Sequence, residues 1–124
     1  MGSPRVKALF DTTVLVDFAQ QSEKAARELE RYDHLLVSRI TYIEFLVGAR
    51  TYNEESKRRL LLDDVEILEL DPAVAEEAIL IRKKERLKLP DAVIWATARV
   101  HGLLLITLNH RDFPRWEPDI RIPY

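Results

Sequence analysis

The sequence contains no cysteine. Disulfides, thiolate metal sites and cysteine nucleophiles are excluded, and a reducing, cytoplasmic setting is expected. Glycine is scarce, with three in 124 residues, too few for a glycine-rich phosphate loop. No apolar run approaches the roughly 18 residues of a membrane span, so no membrane role is expected. The opening "MGSPR" leads into no signal-peptide core, and residues 1–4 read as disordered or as a cloning remnant. A dominant charge is missing too. The 19 basic and 21 acidic residues leave a net −2, so nucleic-acid binding would have to rest on a local basic patch. Internal repeats, low-complexity tracts and linkers are absent.

What is present is an ordinary apolar fraction, 47%, enough for one core and one domain spanning 1–124. The apolar pattern switches between strand-like runs and helical spacing. Strands are expected at 6–10, 34–38, 65–70 and 103–107, with a short edge at 119–122. Helices are expected at 13–19, 22–32 and through 42–62, where Tyr42, Phe45, Leu46 and Ala49 share one face. Asp71-Pro72 reads as N-cap and first helical residue. "DAVIWATARVHG" reads as a helix closed by Gly102 and is apolar nearly all round, hence buried. This alternation implies an α/β sandwich with a mostly parallel sheet.

In such a sheet, sites form beyond the carboxyl ends of the strands, near a switch in strand order. Asp11 ends the first strand and has a bland reading as a helix N-cap. Glu44 falls in the expected first turn of the next helix, where "TYIE" reads equally as a capping box from Thr41. Asp91 opens the buried helix, a place the helix dipole favours for an acid, although a carboxylate there needs a partner. Asn109 and Asp112 follow the fourth strand, where an Asx turn would account for them. Each bland reading stands alone, yet together they put acids around one sheet edge. Clustered carboxylates without a His or Cys ligand set suit a hard cation, Mg²⁺ or Mn²⁺, and such metals serve phosphate chemistry.

The ordered segments "LFDTTVLVD", "SRITYIEFLVGAR", "LPDAVIWATARVHGLLLIT" and "TLNHRDF" resemble the PIN domain, specifically the VapC-type toxins of prokaryotic toxin–antitoxin pairs. The resemblance covers residues 6 to 114. It implies a PIN-like three-layer α/β sandwich with strand order 3-2-1-4-5 and helices on both faces, and a Mg²⁺- or Mn²⁺-dependent endoribonuclease. By position it makes Asp11, Glu44 and Asp91 the catalytic acids, with Asp112 a further one, and gives metal contact to Asp11 and Asp91. Thr12, Thr107 and Asn109 fall at supporting positions. Whether Asn109 or Asp112 fills the fourth position stays open. One departure is visible: Thr13 stands where the family usually has Asn or Ser, so altered tuning is expected. Asp17 reads as a solvated or salt-bridged acid.

An acidic centre repels RNA, so the rim must be basic. "RKKERLK" at 82–88, "KRR" at 57–59, Arg111 and Arg115 are the available cations, and Arg82, Lys88 and Arg111 lie nearest the acids in sequence. Either run is also a plausible solvated helix face. Trp116 and Phe113 read as packing residues with a second reading as base-stacking platforms. His34 and His101 read as structural, and His110 as a possible substrate contact. Tyr42, Phe45, Leu46, Tyr52 and Leu60–Leu62 exceed what one core face needs, and the resemblance makes this surface an antitoxin-binding groove. It also implies a homodimer. Two other functions compete. One is a PIN-like adaptor that binds RNA or metal without cleaving, against which the three retained acids argue. The other is a phospho-acceptor domain using Asp11, which would want an acid where Thr13 stands.

Overall fold

Five short apolar runs become five strands, all paired in parallel, and six helices among the described residues wrap them. The computed structural model describes residues 7–124. The expectations for residues 1–4, and for Val6 as the start of the first strand, lie outside them. In chain order the elements are β1 (Ala8–Phe10), α1 (Thr12–Ala19), α2 (Glu23–Glu30), β2 (Leu35–Ser38), α3 (Arg39–Val47) and α4 (Tyr52–Leu62). Then come β3 (Glu66–Leu68), α5 (Pro72–Glu85), α6 (Leu89–Val100), β4 (Leu104–Ile106) and β5 (Ile120–Arg121). The sheet order is β3-β2-β1-β4-β5, as the resemblance implies. No helix of the described residues is long and apolar enough to cross a membrane.

Strand alternation sorts the core into two layers. Ala8, Phe10, Val37 and Ile106 point to one face, under α1, α2 and α4. Leu9, Leu36, Leu105 and Ile120 point to the other, under α5 and α6. Helix α6 carries an unbroken buried run from Ala92 to Ala98, as its all-round apolar sequence predicts. Its end is closed by Gly102, whose φ of 64° is a left-handed conformation that glycine adopts without strain. Asp71 caps α5, its Oδ1 accepting from the Val74 N–H at 2.9 Å.

Two expectations change. The helical stretch 42–62 is two helices, broken at 48–51. Thr51 starts the second by accepting from the Glu54 N–H at 3.1 Å, while Glu54 accepts from the Arg50 N–H at 2.7 Å. Helix α3 also starts earlier than "TYIE" suggests. Ser38 is its cap, accepting from the Thr41 N–H at 3.1 Å, so Thr41 is inside the helix and Glu44 lies in its second turn rather than its first. The capping-box reading of Glu44 therefore fails, and its carboxylate is left for another use.

The edge strand β5 is held by an ion pair across the sheet. Arg121 donates from Nε and Nη2 to both oxygens of Glu28, at 2.7 and 3.0 Å, and the Tyr32 hydroxyl donates to the same carboxylate at 3.0 Å. Burial works to raise the Glu28 carboxyl, but the hydrogen bonds from Arg121 and Tyr32 outweigh it and hold it below the ordinary carboxylate range. Such a lowered acid contributes stability at neutral pH that is lost as pH falls through its folded-state value. Removing one partner strands a buried charge, and Arg121 is itself a third exposed. Arg121→Ala is therefore expected to cost about 2–3 kcal/mol, below the full 3–5 of a sealed pair. Urea unfolding measures this, and a loss under about 0.5 kcal/mol, the scale of an ordinary surface change, would show that the pair does not anchor β5.

Candidate active site

The strand order turns back between β1 and β4, and the acids gather beyond the carboxyl ends of these two strands. Asp11 directly follows β1, its backbone N–H bonded to Ile106 O at 2.9 Å. It occupies the N-cap position of α1 but makes no side-chain cap bond. Its carboxylate, 3% exposed, is engaged from elsewhere. Oδ2 accepts from the hydroxyls of Thr13 and Thr107, each at 2.8 Å. Each hydroxyl accepts a backbone N–H in turn, Thr13 from Leu108 at 3.1 Å and Thr107 from Asn109 at 3.0 Å. The acid is thus fixed by two relays that start on the loop after β4.

Thr12 serves a different acid. Its hydroxyl donates to Glu44 Oε1 at 2.7 Å, tying the first turn of α1 to the second turn of α3. Asp112 is set by a local turn. Asn109 Nδ2 donates to Asp112 Oδ2 at 3.0 Å, and the Asp112 N–H returns a bond to Asn109 Oδ1 at 3.3 Å. The Asx-turn reading is therefore correct as geometry, with Asn109 and Asp112 bonded to each other.

Asp91 is where these acids meet. It lies in the first turn of α6 and accepts no hydrogen bond among the described residues. Its pKa is pushed up to about 6, first by burial and then by the charges of Asp11, Asp112 and Glu44, while Lys88 pulls it down less strongly than any of these raises it. The four acids thus share one field, although they come from four separate segments. Among the described residues no three of them are drawn close enough to cage an ion directly. The donors are all oxygen, and the negative charge is under-compensated. That combination fits a hard cation that keeps much of its water and touches one or two carboxylates.

The surroundings follow the sequence reading unevenly. Arg82, Lys88 and Arg111 are exposed and make no ion pair among the described residues, whereas Arg39, Arg59, Arg99 and Arg121 all do. Phe113 packs edge-on against Trp95 as core, but Trp116 is 80% exposed, which overturns its packing reading. His34, His101 and His110 are all exposed, the first just before β2 and the second at the end of α6. Asp17 accepts from the Tyr124 hydroxyl at 3.0 Å. The groove expected around Phe45 is not formed as drawn. Phe45 is fully buried, and Tyr42, Leu46, Leu61 and Leu62 pack in the same core layer, so that of the expected groove residues Tyr52 and Leu60 are exposed, beside Ile43 and Val47 of α3. The sequence overcounted because α4 covers the same sheet face as α1 and α2. A separate apolar groove of about 470 Å³ lies between α5 and the start of α6, with Ile40, Leu70, Ile79 and Leu89 in its walls and Arg82 and Lys83 at its rim.

The family model described as PIN domain matches residues 8–117. Ribonuclease VapC1 of Rickettsia felis and Ribonuclease VapC of Rickettsia bellii are each 28% identical over 119 residues, spanning 86% of this chain and 88% of the relative. Among solved structures, a toxin–antitoxin complex from Klebsiella pneumoniae contains a chain 39% identical, with a TM-score of 0.89 over 95% of this chain and 98% of that one. VapBC2 from Rickettsia felis, bound to a DNA fragment from its promoter, shows likeness of fold at 18% identity, with a TM-score of 0.80 over 93% and 96% of the two chains.

A carboxyl whose folded-state pKa is raised favours the fold only while protonated. The benefit is complete below the ordinary 3.8 and is lost as pH rises through about 6, so at pH 7.5 a charged Asp91 weighs against the metal-free fold. Asp91→Asn is expected to raise the metal-free Tm at pH 7.5 by roughly 2–6 °C, with the gap closing towards pH 5. Thermal scans at the two pH values check this, and a variant melting below wild type at pH 7.5 would contradict the crowding of charge at Asp91.

Proposed function

The chain belongs to the PIN domain family, and from that premise we propose that it is a Mg²⁺- or Mn²⁺-dependent endoribonuclease, the toxin of a toxin–antitoxin pair acting in the cytoplasm. The observation that carries the reading is the shared field of Asp11, Glu44, Asp91 and Asp112, in which each of the other three acids acts on Asp91 more strongly than Lys88 does. The ribonuclease names of relatives at 28% identity and the toxin–antitoxin complex at 39% identity support it.

Asp11 and Asp91 are the residues that would hold the cation. When bound, the cation supplies charge neutralisation at the attacked phosphate and acidifies a water. The protein's part is orientation. Asp11 is held through Oδ2 by two hydroxyls. Glu44 is held through Oε1 by Thr12 and keeps Oε2 for a water. Asp112, steadied by Asn109, keeps Oδ1 for another. With the cation site filled, these oxygens can accept a proton from a water aimed at the phosphorus. The exposed cations Arg82, Lys88 and Arg111, unpaired among the described residues, would carry the flanking RNA phosphates, the sequence-independent part of binding.

An inactive adaptor would have no need for three threonine hydroxyls trained on two acids, so the cleaving reading is favoured. As partners we propose a cognate antitoxin and a second copy of the chain. An antitoxin must mask the acids, and an arginine fork suits carboxylates.

Purified protein is expected to cut RNA with Mn²⁺ or Mg²⁺ and to stop on chelation. Asp11→Asn and Asp91→Asn should each lower the rate at least about a hundredfold, the scale of a lost transition-state stabiliser, with the fold retained. Arg82→Glu with Lys88→Glu should raise KM and leave kcat nearly unchanged. Full activity in either acid variant would sink the assignment. For the partners, coexpression with the adjacent small reading frame should yield a copurifying protein that suppresses cleavage, and light scattering of the free chain should give twice its 14.5 kDa. A monomer, or a complex that cuts at the free rate, would refute the respective partner.

A further inference from the structure

We propose that Thr13 is a positioning residue: with Thr107 it occupies Asp11 Oδ2, so that Oδ1 is the one oxygen this carboxylate offers to a hard divalent cation. The inference rests on the metal-dependent reading above and adds which atom is offered and what sets it.

Three facts carry it. The first is the convergence of two hydroxyl donors on one oxygen, both at 2.8 Å, which uses the two lone pairs an sp² oxygen directs in its plane. The second is direction. The Thr13 oxygen accepts the Leu108 N–H at 3.1 Å, and a hydroxyl has one hydrogen, so that hydrogen is left to point at Asp11. Backbone donor, hydroxyl and carboxylate thus form a chain in which each bond polarises the next. The third is the state of Oδ1. No described side-chain polar atom is both sealed from solvent and without a partner, and Oδ1 accepts no bond among the described residues. It therefore keeps contact with solvent, although the residue as a whole is only 3% exposed.

The role needs one donor and one acceptor on the same short side chain. A serine hydroxyl meets that need. An asparagine carboxamide also meets it, donating from Nδ2 to Asp11 and accepting the Leu108 N–H at Oδ1. Valine matches threonine in shape and meets neither half.

The test is Mn²⁺ binding by titration calorimetry without RNA, with thermal unfolding alongside. Thr13→Val is expected to bind Mn²⁺ about tenfold more weakly, the scale of one lost charge-assisted hydrogen bond. Thr13→Ser and Thr13→Asn are expected to stay within about threefold of wild type on the same scale. A purely structural role for Thr13, stitching α1 to the loop after β4, would lower Tm in the valine variant and leave Mn²⁺ affinity alone. If Thr13→Val does not fold, Thr13→Ala takes its place, since alanine suits the first turn of a helix. Wild-type affinity in the folded valine or alanine variant overturns the proposal while leaving the nuclease reading standing. Serine and asparagine variants as weak as valine overturn it as well. Wild-type protein that binds no Mn²⁺ overturns both.

Discussion

A nearly buried carboxylate at the end of a central strand is the constraint on which the rest of this structure turns. Asp11, 3% exposed, would cost several kcal/mol as an unanswered charge. No described arginine or lysine is bonded to it. It is answered by hydroxyls, and these come from different segments: Thr13 from the first turn of α1 and Thr107 from the end of β4. That solution requires β1 and β4 to be neighbours in register, which the pairing of Phe10 with Ile106 provides. It also requires the loop after β4 to present two N–H groups to the hydroxyls, which Leu108 and Asn109 do. Hydroxyls rather than cations leave the negative charge of Asp11 uncancelled, and the cost of that appears at Asp91.

The layered fold was readable from the sequence because each strand is a short apolar run and the helices between them carry apolar periodicity, although the starts of α3 and α4 were not placed. Asp71-Pro72 and Gly102 acted as their residue types predict. The acids were readable as a set for a topological reason, since every parallel strand ends at the same edge. What misled was a local signal. "TYIE" at 41–44 and "TYNE" at 51–54 look alike, yet only the second starts a helix. Ser38, ending β2, had already taken the cap of α3, and no window of four residues contains that competitor. Phe45 misled for a similar reason: a count of apolar residues does not show that α3 and α4 both press on the layer already served by α1 and α2. Thr13 was visible as a departure from the resembled family, but its partners were not, because they lie two residues before it and 95 residues after it.

The distribution of charge separates structure from surface. Arg99 joins Glu77, Glu117 and Asp119 and stacks on Trp95, pinning the segment before β5 onto α6. Arg39 pairs with Glu69 and lies over Tyr42, securing β3 beside α3. Against this background the cations of 82–88 stand out, without an ion pair among the described residues and next to Asp91 in sequence. The apolar groove that Arg82 and Lys83 help to line also takes in Leu89 and Pro90, which directly precede Asp91 in sequence.

The central claim is that these four acids serve one hard cation, approached by Asp11 through Oδ1. Anomalous diffraction from crystals soaked in Mn²⁺ tests this most directly, because it locates the ion without reference to activity. The account predicts one principal peak at about 2.1–2.3 Å from Asp11 Oδ1, the range of a hard-cation oxygen contact, with Asp91 as the second protein contact and Asp11 Oδ2 still bonded to Thr13 and Thr107. A principal peak contacting Asp11 through Oδ2, or no peak at the acid cluster at all, would contradict it.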